Sequence, residues 1–178
     1  MYISELSSNM PKEFNSDLEE RIFKKLEELN IPFEVIDNDP ADSMEECIEI
    51  DKKLGAEIRK TVVVCNRQKT QYSLIVMPAD KRFETKVFAA KMECARVSFA
   101  SSDDLFEKLG VVPGSATVLA VINDKDNLVQ VVIDKEVADN EYFACNVSDS
   151  RRHIKIKTKD LLEIILPNLD HEAKIVEL

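Results

Sequence analysis

The chain has 178 residues, 44% hydrophobic and 33% charged, and its 34 Asp and Glu against 24 Lys and Arg leave a net charge of −10. This length and composition suit one domain around one core and leave little room for two, while an acidic surface repels a polyanion and so argues against a general nucleic-acid binder. No apolar run approaches the ~20 residues needed to cross a bilayer. Met1-Tyr2-Ile3-Ser4-Glu5 lacks the basic start and apolar middle of a secretion signal, so a cytoplasmic protein is expected.

Residues 1–15 carry no clear pattern and read as a fraying or variable extension, with the domain proper over 16–178. Ser16-x-x-Glu19 is a capping box, and Leu18, Ile22, Phe23, Leu26 and Leu29 recur at helical spacing until Asn30 and Pro32 stop the run. Ser43-x-x-Glu46 opens a second helix that Gly55 closes. Ile58–Cys65 and Tyr72–Met77, rich in β-branched and aromatic residues, flank the polar 66–70 and read as a hairpin. Phe83–Met92 reads as helix and Ala95–Phe99 as strand, followed by a helix that starts after Ser101-Ser102-Asp103-Asp104. Val118–Ile122 and Leu128–Ile133 read as a second hairpin around 123–127. The pattern closes with strands at Tyr142–Cys145 and His153–Lys157, a helix over Lys159–Leu166 capped by Thr158, and a short strand near Ile175-Val176. Alternating helices and strands without a repeat predict a single α/β or α+β domain, a mixed and mostly antiparallel central sheet flanked by helices.

Cys47, Cys65, Cys94 and Cys145 lie far apart, and with only His153 and His171 beside them no metal-binding spacing is recognisable. Charge is unevenly distributed. From Lys52 to Arg96 eleven Lys or Arg face four Asp or Glu, a local +7 against −17 elsewhere, so a basic middle is suited to meeting one end of an RNA. The competing reading is a solvated surface without a partner. Lys60 interrupts the apolar run Ile58 to Val64, where an ammonium is costly unless it is needed or reaches water. If Ile58, Lys60, Val62 and Val64 share a face, Lys60 points to a pocket; an edge-strand lysine reads equally well.

Two of only three glycines fall in Gly110-Val111-Val112-Pro113-Gly114-Ser115-Ala116-Thr117. Pro113-Gly114 reads as a tight turn whose following N–H groups could face a bound carbonyl or phosphate oxygen. The plain alternative is that Gly110 ends a helix and Pro113-Gly114 only turns the chain.

The surrounding segments decide between these readings by resemblance. Leu26 to Glu34, Arg59-Lys60-Thr61-Val62-Val63-Val64, Val76 to Arg82, Val97 to Ser101, the glycine turn, Lys159 to Leu162 and His171 to Leu178, in this order over nearly the whole chain, resemble the YbaK/ProX family of aminoacyl-tRNA editing domains. Within it the likeness is greatest to the freestanding prolyl-tRNA editing proteins. The resemblance implies a deacylase that hydrolyses the ester of mischarged tRNA, with alanine or another small residue on the proline tRNA as the inherited substrate. Prolyl-tRNA synthetase is the implied partner, and neither membrane nor DNA is involved. It assigns Lys60 to the 3′ end, with Thr61 beside it, and places the ester at Gly114, Ser115, Ala116 and Thr117. No cofactor and no protein nucleophile are implied, since the tRNA's vicinal hydroxyl can position the attacking water.

Two departures stand out. Val118 occupies the position of a family proline, and Phe143 is followed by Ala144-Cys145-Asn146 where many members have a histidine. Asn146 could retain a polar contact or simply form a turn. The missing histidine leaves open a second reading, a catalytically weak relative that binds aminoacyl-tRNA or a synthetase.

Overall fold

A computed structural model describes residues 1–178. The expected mixed, mostly antiparallel sheet is divided between two layers. One has five strands in the order β4-β2-β3-β5-β8, formed by β2 (Lys60–Asn66), β3 (Tyr72–Met77), β4 (Val97–Phe99), β5 (Val129–Asp134) and β8 (Ala173–Val176). The other has the order β1-β7-β6, formed by β1 (Glu34–Asp37), β6 (Tyr142–Asn146) and β7 (Arg152–Lys157). β2 pairs antiparallel with β3 and β4, the small sheet is antiparallel throughout, and β3-β5 and β5-β8 are parallel.

The main core lies between the two sheets, where Val63, Leu74 and Val131 meet Phe143, Ile154 and Ile156 under α1 (Asp17–Glu28). Ser16 Oγ accepts from the Glu19 N–H at 3.1 Å and starts α1 as its capping box predicts. The outer face of the small sheet is covered by α2 (Cys47–Leu54), through Ile50 and Leu54 against Ile36 and Ala144. The outer face of the large sheet is covered by α3 (Thr85–Lys91), whose Phe88 packs on Val64, Ile75 and Val132. Residues 1–15 run beside β1, with antiparallel bridges Ile3–Asn38 and Ser7–Val35.

The second hairpin does not form. Val118–Asn123 is a buried 3-10 helix whose cap, Thr117 Oγ1, accepts from the Leu119 N–H. A fully buried run has no polar face, so its composition alone favoured a strand. Asp124 then takes the Leu128 and Val129 N–H groups, and β5 pairs with β3 instead, reached by a crossover through α3, β4 and α4 (Ser102–Leu109). His171 closes this corner. Its Nε2 meets Asp124 Oδ2 at 2.8 Å and its Nδ1 meets the Leu169 carbonyl, so both ring nitrogens face acceptors and the ring is committed to structure. The segment after β7 is helical in three pieces: α6 (Thr158–Asp160), a π turn (Leu161–Ile165) and α7 (Leu166–Asn168); α5 (Lys135–Ala138) follows β5.

His153 is buried in the small sheet, and its Nδ1 lies 2.9 Å from Asn38 Oδ1. The Asn38 amide nitrogen donates to the carbonyls of Asp39 and Ser150, so its oxygen must face the ring and Nδ1 carries the proton. Burial pushes His153 down to about 4. The unfolded chain therefore takes up this proton first on acidification, and the associated stability is lost as the pH falls through the window between the two values. The unfolding free energy from urea denaturation should fall by about 2 kcal/mol between about pH 7 and about pH 5. His153→Gln should flatten that dependence.

Candidate active site

The glycine segment begins where α4 ends. Ser101 Oγ caps α4 by accepting from the Asp104 N–H, and Gly110, at φ 70°, ends it. A side chain at Gly110 would also collide with Asn123, whose Nδ2 lies 2.8 Å from where a Cβ would sit. The Ser115 N–H then donates to the Val112 carbonyl at 3.0 Å, with Pro113 and Gly114 (φ 88°) as the central residues, a type II turn. The turn is exposed at Val112, Pro113 and Gly114, whereas Ser115 and Thr117 are buried. The N–H groups of Gly114, Ala116 and Thr117 make no hydrogen bond within the protein.

Two contacts fix this turn to β6. Asn146 Nδ2 donates to the Ala116 carbonyl at 3.1 Å, and the Thr117 hydroxyl lies 3.7 Å from Cys145 Sγ. Because the Asn146 amide nitrogen must face that carbonyl, its Oδ1 points away, buried and without a partner. An unpaired buried acceptor is costly, so Oδ1 is a side-chain atom beside the turn with hydrogen-bonding capacity left over.

β2 and β6 meet at one point. Ile58, just before β2, bridges Ala144 in parallel and the Arg59 N–H donates to the Ala144 carbonyl at 3.0 Å, after which β2 continues in the large sheet while β6 stays paired with β7 in the small one. Lys60 stands two residues past this junction on one strand and Asn146 two residues past it on the other. Along the outer edge of β2, Arg59 N–H bonds β6 and the Val63 carbonyl accepts from Ala100. Strand alternation therefore turns the N–H and C=O of Thr61 into the gap between.

Lys60 Nζ donates to the Lys81 carbonyl at 3.0 Å. No hydrogen bond joins it to the turn; the two are linked through β6. Arg21, Lys25, Arg59, Lys81, Lys108, Arg152 and Lys155, the other sheltered basic side chains, each pair with a carboxylate. Lys60 is the one half-buried cation that has none within 4.0 Å, so the protein leaves its charge uncompensated. A half-open cavity of about 970 Å³ lies elsewhere, at the opposite end of β2 among Asn66, Gln71, Ser73 and Gln130.

The family model for the aminoacyl-tRNA editing domain matches residues 38–164, spanning β2, the glycine turn and β6. The chain belongs to that family. The prolyl-tRNA editing protein ProX of Acetoanaerobium sticklandii is 28% identical over 162 residues, covering 91% of this chain and 98% of that one. Among solved structures, hypothetical protein APE2540 matches with a TM-score of 0.67 at 16% identity over 88% of this chain and 98% of that one. A candidate trans-editing enzyme for prolyl-tRNA synthetase matches with a TM-score of 0.67 at 14% identity over 93% and 99%. At these identities the structures establish the fold. The editing domain is an aminoacyl-tRNA deacylase, and no helix in it is long and apolar enough to cross a membrane.

Its two departures from the family pattern have structural counterparts. Val118 is the first residue of the 3-10 helix, a position where proline is also at home, and here the Thr117 cap and the Asn146 bond restrain the loop. Ala144 is wholly buried among Ile36, Ile50, Leu54 and Ile58. Cysteine chemistry has no basis, because burial pushes the Cys145 thiol up to about 12 and His153 is bonded to Asn38. The unpaired Asn146 oxygen and the open edge at Thr61 escape sequence reasoning, since both depend on partners distant in the chain.

Proposed function

We propose that this deacylase edits in trans, removing alanine or another small residue wrongly attached to the proline tRNA, in the cytoplasm and alongside prolyl-tRNA synthetase. The observation that carries the reading is the free N–H set of Gly114, Ala116 and Thr117 on a turn tied to β6. These groups are placed to receive the ester oxygen as water attacks the carbonyl and negative charge develops there. One such preorganised donor contributes about 3–4 kcal/mol to lowering a barrier of this kind. Asn146 Oδ1 accepts a hydrogen bond from the α-amino group or the vicinal hydroxyl. Lys60, lacking a carboxylate, takes a phosphate of the 3′ end, and Thr61 borders the same gap through its backbone. Ser115 and the Thr117 hydroxyl hold the turn from behind. Water is the nucleophile, so no side chain need be acylated. The 28% identity to an editing protein named for prolyl-tRNA supports the choice of tRNA.

The reading is tested by following loss of labelled amino acid from proline tRNA charged with alanine, cysteine or proline. Release of alanine with proline retained is the expected result. Binding of these tRNAs without cleavage of any ester would instead assign the chain to the binding-only relatives that the missing histidine suggests.

A further inference from the structure

We propose that the exposed ring of Phe99 is a stacking platform for an unpaired nucleobase in the RNA 3′ end, with Lys60 and Arg82 on the flanking phosphates. The proposal rests on the reading of that 3′ end as substrate. Phe99 is 61% exposed on the edge strand β4, where it pairs with Val64. Lys60, Val62 and Val64 alternate onto one face of β2, so Phe99 and Lys60 border the same side of the sheet. The ring is also anchored. Phe83 meets Phe99 edge-on at 5.9 Å between centroids and meets Phe88 at 5.7 Å, and Phe88 is 1% exposed beneath α3. Phe106 is equally exposed but has no aromatic neighbour.

The loop that carries Phe83 brings the charge. Lys81 supplies the carbonyl that holds Lys60, while its own ammonium is neutralised by Asp134 at 2.8 Å and Glu136 at 3.1 Å. Arg82 extends outward, 88% exposed and only 4.0 Å from Glu84, and Lys86 follows without a carboxylate partner. An open, anchored aromatic ring flanked by the carboxylate-free Lys60 and an outward Arg82 held only at the 4.0 Å limit by Glu84 is the arrangement that binds single-stranded nucleic acid, because every base offers a face to stack and every linkage a charge to neutralise. A protein partner would need a carboxylate placed opposite Lys60 as well as a cover for the ring, whereas single-stranded RNA offers a base and an anion at every nucleotide, so RNA is the favoured occupant.

The test compares dissociation constants for a short RNA hairpin with a single-stranded 3′ tail and for the same hairpin blunt-ended. Phe99→Ala should weaken binding of the tailed hairpin at least about fivefold, the lower end of what one stacked base contributes. Phe99→Trp should restore it, and Tyr2→Ala, an exposed aromatic elsewhere, should have no effect. Unchanged affinity of Phe99→Ala for the tailed RNA overturns the platform, as does equal binding of both hairpins by the native chain. Equal weakening for the two hairpins, or loss only of a protein interaction, overturns it as well. Ester release from alanyl-tRNA of the proline isoacceptor by the same protein preparations reports separately on the deacylase. Phe99-dependent tail binding without cleavage keeps the platform and removes the substrate reading, and cleavage with Phe99-independent affinity does the reverse.

Discussion

Truncating Arg152 to alanine should destabilise the fold by about 3–5 kcal/mol, the largest effect expected of any single substitution outside the main core. Arg152 is buried, and its guanidinium joins three elements: Nε reaches Asp37 on β1, while Nη1 reaches the Glu13 carbonyl and Glu19 Oε2 at 2.9 Å each. Glu19 has no exposed surface, and burial already pushes its carboxyl above the ordinary range, against the pull of the Asn15 N–H and the Arg152 charge. Without Arg152 that carboxylate must either remain charged in an apolar setting or take up a proton. The cost comes mainly from the stranded Glu19, since Asp37 is half exposed and can turn to water. Adding Glu19→Gln to Arg152→Ala should therefore recover much of the loss, which urea denaturation of both variants measures. A single variant that loses less than about 1 kcal/mol would place the pair among ordinary surface ion pairs.

Gly114→Val should lower kcat/KM for ester hydrolysis by about 10²-fold or more while leaving the protein folded. Gly114 sits at φ 88°, and no atom lies within 4 Å of where its Cβ would be. The substitution thus causes no collision, and its effect comes from the backbone alone. A β-branched residue held at this φ costs about 1–2 kcal/mol, and the chain escapes by rotating the peptide groups that aim the neighbouring N–H donors. Denaturation should register that modest strain and kinetics the much larger loss of oriented donors. Asn tolerates positive φ, so Gly114→Asn should retain most of the activity. Native rates in both variants would show that the turn's geometry plays no part in the reaction.

The features legible in the sequence are those whose causes are local. Ser16 and Ser101 announce α1 and α4 because a cap and its helix lie within one turn, and Lys60 stood out because it breaks an apolar alternation. The Pro113-Gly114 turn followed from backbone preferences alone. The illegible features are those that two distant segments make together. The 3-10 helix at Val118–Asn123 is buried on all sides and so has no period to read. The parallel pairing of β5 with β3 is decided by the crossover between them. Arg152 and Glu19 are 133 residues apart, and the Asn146 contact with Ala116 spans 30. Only the fold reveals that Asn146 keeps an unpaired oxygen, or that Lys60 alone among the sheltered cations has no carboxylate.

The central claim is that the gap flanked by Lys60, Asn146 and the glycine turn hydrolyses an aminoacyl ester. It is tested most directly by the single-turnover rate of alanine release from alanyl-tRNA of the proline isoacceptor, with native chain and Lys60→Ala side by side at equal, subsaturating protein. The expected result is release by the native chain and a rate lower by at least about 10²-fold in the variant, as removal of a preorganised charge contact implies. Equal rates would contradict the account, because the one sheltered cation without a carboxylate would then have no part in the chemistry.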